Sequence, residues 1–147
     1  MKIKITRIRT NECLVPLPTY KTKGAAAFDL HAALTHRVTI RPGQQALIPT
    51  GLILAIPEGF EGQVRPRSGL ALKQGLSITN SPGTIDSDFR GEIGVILINF
   101  GQEEIEIGPL DRIAQMAIAP VVQAEFELVD KLDETARGSG GFGSTGA

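Results

Sequence analysis

The strongest constraint on this chain is how often its apolar runs are cut short. Seventeen Gly and nine Pro punctuate 147 residues, so few stretches can run on as long helices. What lies between them is short and rich in Ile, Val and Leu: Val38-Thr39-Ile40, Leu52 to Ile56, Gly62 to Arg65, Ile93 to Asn99, Ile105-Glu106-Ile107 and Ile113 to Ala119. Ile3 and Ile5 alternate with Lys and Thr, the pattern of a half-buried strand. Pro42-Gly43, Pro57-Glu58-Gly59, Pro82-Gly83 and Gly108-Pro109 supply turns. This spacing predicts an all-β sandwich or barrel. One stretch reads differently: Ser68 to Gln74 holds good helix formers, with Ser68 placed to cap and Gly75 to terminate, and predicts one short helix.

Composition narrows the function classes. Hydrophobic residues are 41% and charged residues 21%, enough for one soluble core in a chain of single-domain length. The formal charge of −1 argues against a dedicated nucleic-acid binder or anionic-membrane binder. No apolar run approaches a membrane span, and the N-terminus is not a signal peptide. A single cysteine, Cys13, closes no internal disulfide, which fits a reducing, cytoplasmic setting.

Five stretches concentrate polar chemistry. Ala26-Ala27-Phe28-Asp29-Leu30 sets one acid in an apolar run, where it needs a partner. Arg65-Pro66-Arg67-Ser68-Gly69 brings two guanidinium groups and a hydroxyl to the start of the expected helix, a plausible phosphate cradle. After the Asn80-Ser81-Pro82-Gly83 turn, Thr84 to Glu92 packs three acids and an aromatic into nine residues, suited to activating water or organising a cation. Asp111-Arg112-Ile113-Ala114-Gln115 puts polar groups beside a strand. Arg137 to Ala147 contains five Gly and one Phe, cannot form a core, and is expected to be flexible without a partner. Its Gly138, Gly140 and Gly143 match G-x-G-x-x-G, but neither the helix nor the distant acid of a dinucleotide site follows. His31, His36 and Cys13 have no zinc spacing. Taken alone, each stretch also fits a bland role: a capped turn, a solvated hairpin, an ion pair or a linker.

In this order, the five stretches resemble the homotrimeric dUTP pyrophosphatases (dUTPases), and the likeness runs from near residue 25 to the C-terminus. The resemblance implies a jelly-roll-like β fold, a homotrimer with sites shared between subunits, and Mg²⁺-dependent hydrolysis of dUTP to dUMP and pyrophosphate. By that likeness Asp86 is the general base that orients the attacking water. Arg67, Ser68 and Gly69 hold the phosphates, supported by Gln115. Asn80 and the backbone of Thr84, Ile85 and Gly94 read uracil. Arg137, Phe142, Gly143, Ser144 and Thr145 close over the substrate. The metal is held by phosphate oxygens and water, with Asp29 at most in contact through a water. Residues 1–136 form the hydrolase domain and 137–147 a lid. Phe89 stands where the family usually has Tyr; its ring is expected to pack on the deoxyribose and leave no room for a 2′-hydroxyl. Two other readings compete, a dCTP deaminase or bifunctional deaminase–pyrophosphatase of the same fold, and a nucleotide-binding module without turnover. The Gly-rich tail and the retained Asp86 favour the pyrophosphatase.

Overall fold

The computed structural model describes residues 1–8 and 14–142. Its strands are β1 (Lys4–Arg7), β2 (Phe28–His31), β3 (Val38–Ile40), β4 (Gln45–Pro49), β5 (Leu52–Ala55), β6 (Phe60–Arg65), β7 (Leu76–Ile78), β8 (Gly83–Ile85), β9 (Gly94–Asn99), β10 (Ile105–Ile107) and β11 (Arg112–Pro120). One short helix, α1 (Ser68–Gln74), joins β6 to β7. The strands pair antiparallel in four small sheets, β1-β5, β3-β10, β2-β11-β6-β8 and β4-β9-β7. Their inner faces meet in one core, with Leu30, Ile48, Ile93, Leu97, Ile113 and Met116 among its fully buried side chains. Strict alternation drives this: along β9, Val95, Leu97 and Asn99 point inward while Gly94, Ile96 and Ile98 are half-buried.

Every expected strand is present, and β3 and β10 have the expected bounds. Four were not expected: β2, β4, β7 and β8. Each has only three to five residues and carries a polar or Gly residue, so its periodicity is too brief to stand out. The helix also differs at its start. Arg67, not Ser68, is the N-cap, and no side chain caps the first turn. Gly75 ends the helix in the left-handed conformation (φ 70°), as expected.

The end of α1 is locked against the β9–β10 turn by an approach that only glycines permit. A Cβ on Gly75 would lie 2.5 Å from the Gly101 nitrogen, and one on Gly101 would lie 2.4 Å from the Gln74 carbonyl oxygen. Asn99, fully buried beside them, has every polar atom used: Nδ2 donates to the carbonyls of Ile40 (2.9 Å) and Glu103 (2.8 Å), and Oδ1 accepts from Gly101 N (2.8 Å). This knot fixes the helix that follows Arg67. Asn99→Ala strands buried polar groups and lowers stability by about 2–4 kcal/mol. Denaturant unfolding checks this, and an unchanged midpoint would show the knot to be dispensable.

Beyond Pro120 the chain leaves the sheets. Residues 121–136 form neither helix nor strand and are exposed throughout. Yet Val122, Ala124, Phe126 and Leu128 alternate with Gln123, Glu125 and Glu127, and Phe126 and Leu128 are 93% and 100% exposed.

Candidate active site

The β2-β11-β6-β8 sheet turns one face to the core and the other outward, and the outward face carries the polar residues. In a regular strand Arg112 and Gln115, three apart, would point to opposite faces. They do not here, because a bulge interrupts β11: Arg112 pairs with His31 and Gln115 with Asp29, three residues on β11 against two on β2. Both therefore line up with the outward residues of β2. Gln115 then donates from Nε2 to the Pro66 carbonyl (2.8 Å), which pins the segment leading into Arg67.

Asp29 is the centre of the resulting cluster. Its Oδ1 accepts from Arg67 Nε (3.0 Å) and its Oδ2 from Arg112 NH1 (3.3 Å). The carboxylate side chain is only 14% exposed, so an unpaired charge there would be costly. Arg67 NH1 donates to the Arg112 carbonyl (3.2 Å), which leaves the NH2 end of its guanidinium open to an anion. Ser68 and Gly69 follow at the exposed first turn of α1. The structure thus brings together Asp29, Arg67, Ser68, Gly69 and Gln115 from the expected set. Arg112 joins them although it was not expected to; the bulge that aims it has no signature in the sequence.

The acidic segment sits elsewhere. β8 is the far edge of the sheet, where Thr84 pairs with Gln63 and Ile85 with Gly62. Asp86 follows, exposed, in a turn closed by Phe89 N donating to the Asp86 carbonyl (3.2 Å). Arg90 NH1 donates to the carbonyls of Ser87 (2.7 Å) and Phe89 (2.8 Å) and staples that turn. Asn80 packs beside buried Gly83, where a Cβ would come within 3.3 Å of its Nδ2. Gly94 is on another sheet, opposite Pro49 and covered by Leu47. Thr84, Asp86, Ser87 and Arg90 line an open groove of about 1060 Å³ together with Lys2 and Val121. None of Asp29, Arg67, Arg112 and Gln115 lines it.

In the tail, Arg137 Nε donates to the Gly140 carbonyl (2.8 Å) and Phe142 is fully exposed. Gly143, Ser144 and Thr145 lie outside the described residues, as does Cys13. Among the described residues no group of three or more His, Cys, Asp and Glu side chains could hold a metal, and no helix is long and apolar enough to cross a membrane.

The dUTPase family model matches residues 14–146. The chain belongs to the dUTPase family. The deoxyuridine 5'-triphosphate nucleotidohydrolase of Roseobacter denitrificans is 62% identical over 133 residues, which cover 90% of this chain and 88% of that one. The protein of the same name from Anaeromyxobacter sp. is 54% identical over 98% of this chain and 97% of its own. A point mutant of the dUTPase of Staphylococcus bacteriophage 80alpha, solved with dUpNHpp, has the same fold, with a TM-score of 0.87 and 24% identity over 99% of each chain. The jelly-roll-like β fold is thus shown, and membership makes the chain a dUTP-hydrolysing enzyme.

His31 shares the face with the Asp29 cluster. Burial, above all, lowers its pKa from the usual 6.5; nearby Lys21, Arg112 and Arg67 add to this, while Asp29 opposes it. Between the lowered folded value and 6.5 the unfolded chain binds more protons, so stability is full above that window and falls as pH drops through it. His31→Gln is expected to flatten the loss in urea midpoint between about pH 7 and 5.5. Equal slopes in the two proteins would remove His31 as a source.

Proposed function

We propose that the chain cleaves dUTP to dUMP and pyrophosphate by in-line attack of a water on the α-phosphorus, with Asp86 orienting that water, at sites a homotrimer assembles from its subunits. The observation that carries this reading is the separation just described. One chain presents an arginine cluster on one part of its surface and the carboxylate hairpin in a groove that cluster does not line. A second copy brings the halves together. The arm supports the same reading, since its apolar ribbon (Val122, Phe126, Leu128) is exposed and has no partner among the described residues of its own chain.

In this reading Arg67, Ser68 and Gly69 bind the phosphates, and Gln115 supports them through Pro66. Asp29 aims Arg67 at the substrate. Asn80 and the backbone of Thr84, Ile85 and Gly94 recognise uracil. Phe89 packs on the deoxyribose. Arg137, Phe142, Gly143, Ser144 and Thr145 close from above, residues 137–147 acting as the lid of a 1–136 hydrolase domain and excluding water. Asp86 accepts the proton of the attacking water as the bond to phosphorus forms. A Mg²⁺ ion would be held there by the triphosphate oxygens and water, since no group of three or more His, Cys, Asp and Glu among the described residues could hold it, and it would supply neutralisation of phosphate charge. Both oxygens of Asp29 already accept from arginine, and a water-mediated contact to the ion would use its remaining lone pairs. A cytoplasmic location fits the single cysteine.

Pyrophosphate release is expected for dUTP and not for dTTP, dCTP or UTP, and to require Mg²⁺. Asp86→Asn should lower turnover by about 10²–10⁴-fold while a non-hydrolysable analogue still binds. Retained hydrolysis would remove Asp86 from its role. Sharing between subunits has a separate test. Asp86→Asn and Arg67→Ala chains, each inactive alone, should regain activity when unfolded and refolded together, because mixed trimers contain sites with both native residues. No recovery would place both groups of a site on one chain.

A further inference from the structure

Gly91 follows the Asp86–Phe89 turn, and its lack of a side chain needs a reason. The backbone does not supply one, since Gly91 is not among the glycines at positive φ. Any L-residue could adopt its conformation. Space does supply one. A Cβ at Gly91 would lie 2.5 Å from Phe89 Cζ, 2.9 Å from Cε2 and 3.4 Å from Cε1. Carbon atoms in contact sit at about 3.5–4.0 Å, so the first two approaches are excluded. All three nearest atoms belong to that one ring, and none is backbone.

We propose that Gly91 is a specificity-determining residue: it forms the seat on which the Phe89 ring rests, and filling that seat alters the discrimination between 2′-deoxyribose and ribose triphosphates. This rests on the reading of Phe89 as the group packed on the sugar. A methyl group at Gly91 displaces the ring and spares the fold. The ring is the free end of a rotatable side chain, 40% exposed, with solvent to swing into. The turn beneath it is held by other bonds, Phe89 N to the Asp86 carbonyl and Arg90 NH1 to the Ser87 and Phe89 carbonyls. The ring moves while the backbone that carries Asp86 stays.

The test compares kcat/KM for dUTP over that for UTP in the parent, Gly91→Ala, Phe89→Ala and the double variant. Both substrates share base and triphosphate, so the ratio is insensitive to the fraction of folded enzyme. Gly91→Ala is expected to lower the ratio by about tenfold or more. Phe89→Ala should also lower it, and Gly91→Ala should lower it no further once the ring is gone. If Phe89→Ala lowers the ratio and Gly91→Ala leaves it within about twofold of the parent, the seat has no such role. An equal effect of Gly91→Ala with and without the ring overturns the inference as well, since the effect then bypasses Phe89. If Phe89→Ala itself leaves the ratio unchanged, the sugar-packing reading of Phe89 fails and takes this inference with it.

Discussion

One carboxylate organises the cationic half of the site. Asp29 reaches from β2 to Arg67 at the end of the β6 segment and to Arg112 at the start of β11, so three separate parts of the chain are tied at one point. A largely buried ion pair adds little net stability, because the cost of desolvating both partners offsets their attraction. Its value lies in direction. A free arginine side chain samples many rotamers and loses about 2 kcal/mol of entropy when ordered. Asp29 and the Arg112 carbonyl meet that cost in advance and leave one end of the Arg67 guanidinium facing outward. Charge stabilisation by groups already in position is the largest lever an enzyme has on a phosphoryl reaction.

The second half depends on restraint of a different kind. Around Asp86 backbone carbonyls are gathered by Arg90, and the turn they form needs no contact with the core. The turn is exposed and lies in a groove that the arginine cluster does not line. The exposed apolar arm after Pro120 carries a strand-like pattern that none of the described residues covers. Both features are what the proposed homotrimer would complete.

Legibility varied with the range of the interactions involved. β3 and β10 appear where the Ile and Val runs lie, and Gly75 ends the helix, because each is decided by neighbours a few residues away. The motifs around Asp29, Arg67, Asp86 and Gln115 were visible as local chemistry. β2, β7 and β8 were not, since three or four residues carry no period and form strands only because β11, β9 and β6 offer them a pairing edge. Ser68 was a good candidate for the helix cap on composition, yet the helix starts one residue earlier in register, with Arg67 at the cap and its side chain drawn to Asp29.

By itself, the order of residues determined that the chain is built of short strands and tight turns, that it carries one brief helix, and which groups bear charge. These follow from local propensity and from residue type. The tertiary structure alone decided that Arg112 turns toward Asp29, that the arginine cluster and Asp86 occupy different parts of the surface, and that Gly91 is small to make room for Phe89. Each of these depends on a register shift, a sheet edge or a close approach, and such relations exist only once residues distant along the chain have been brought side by side.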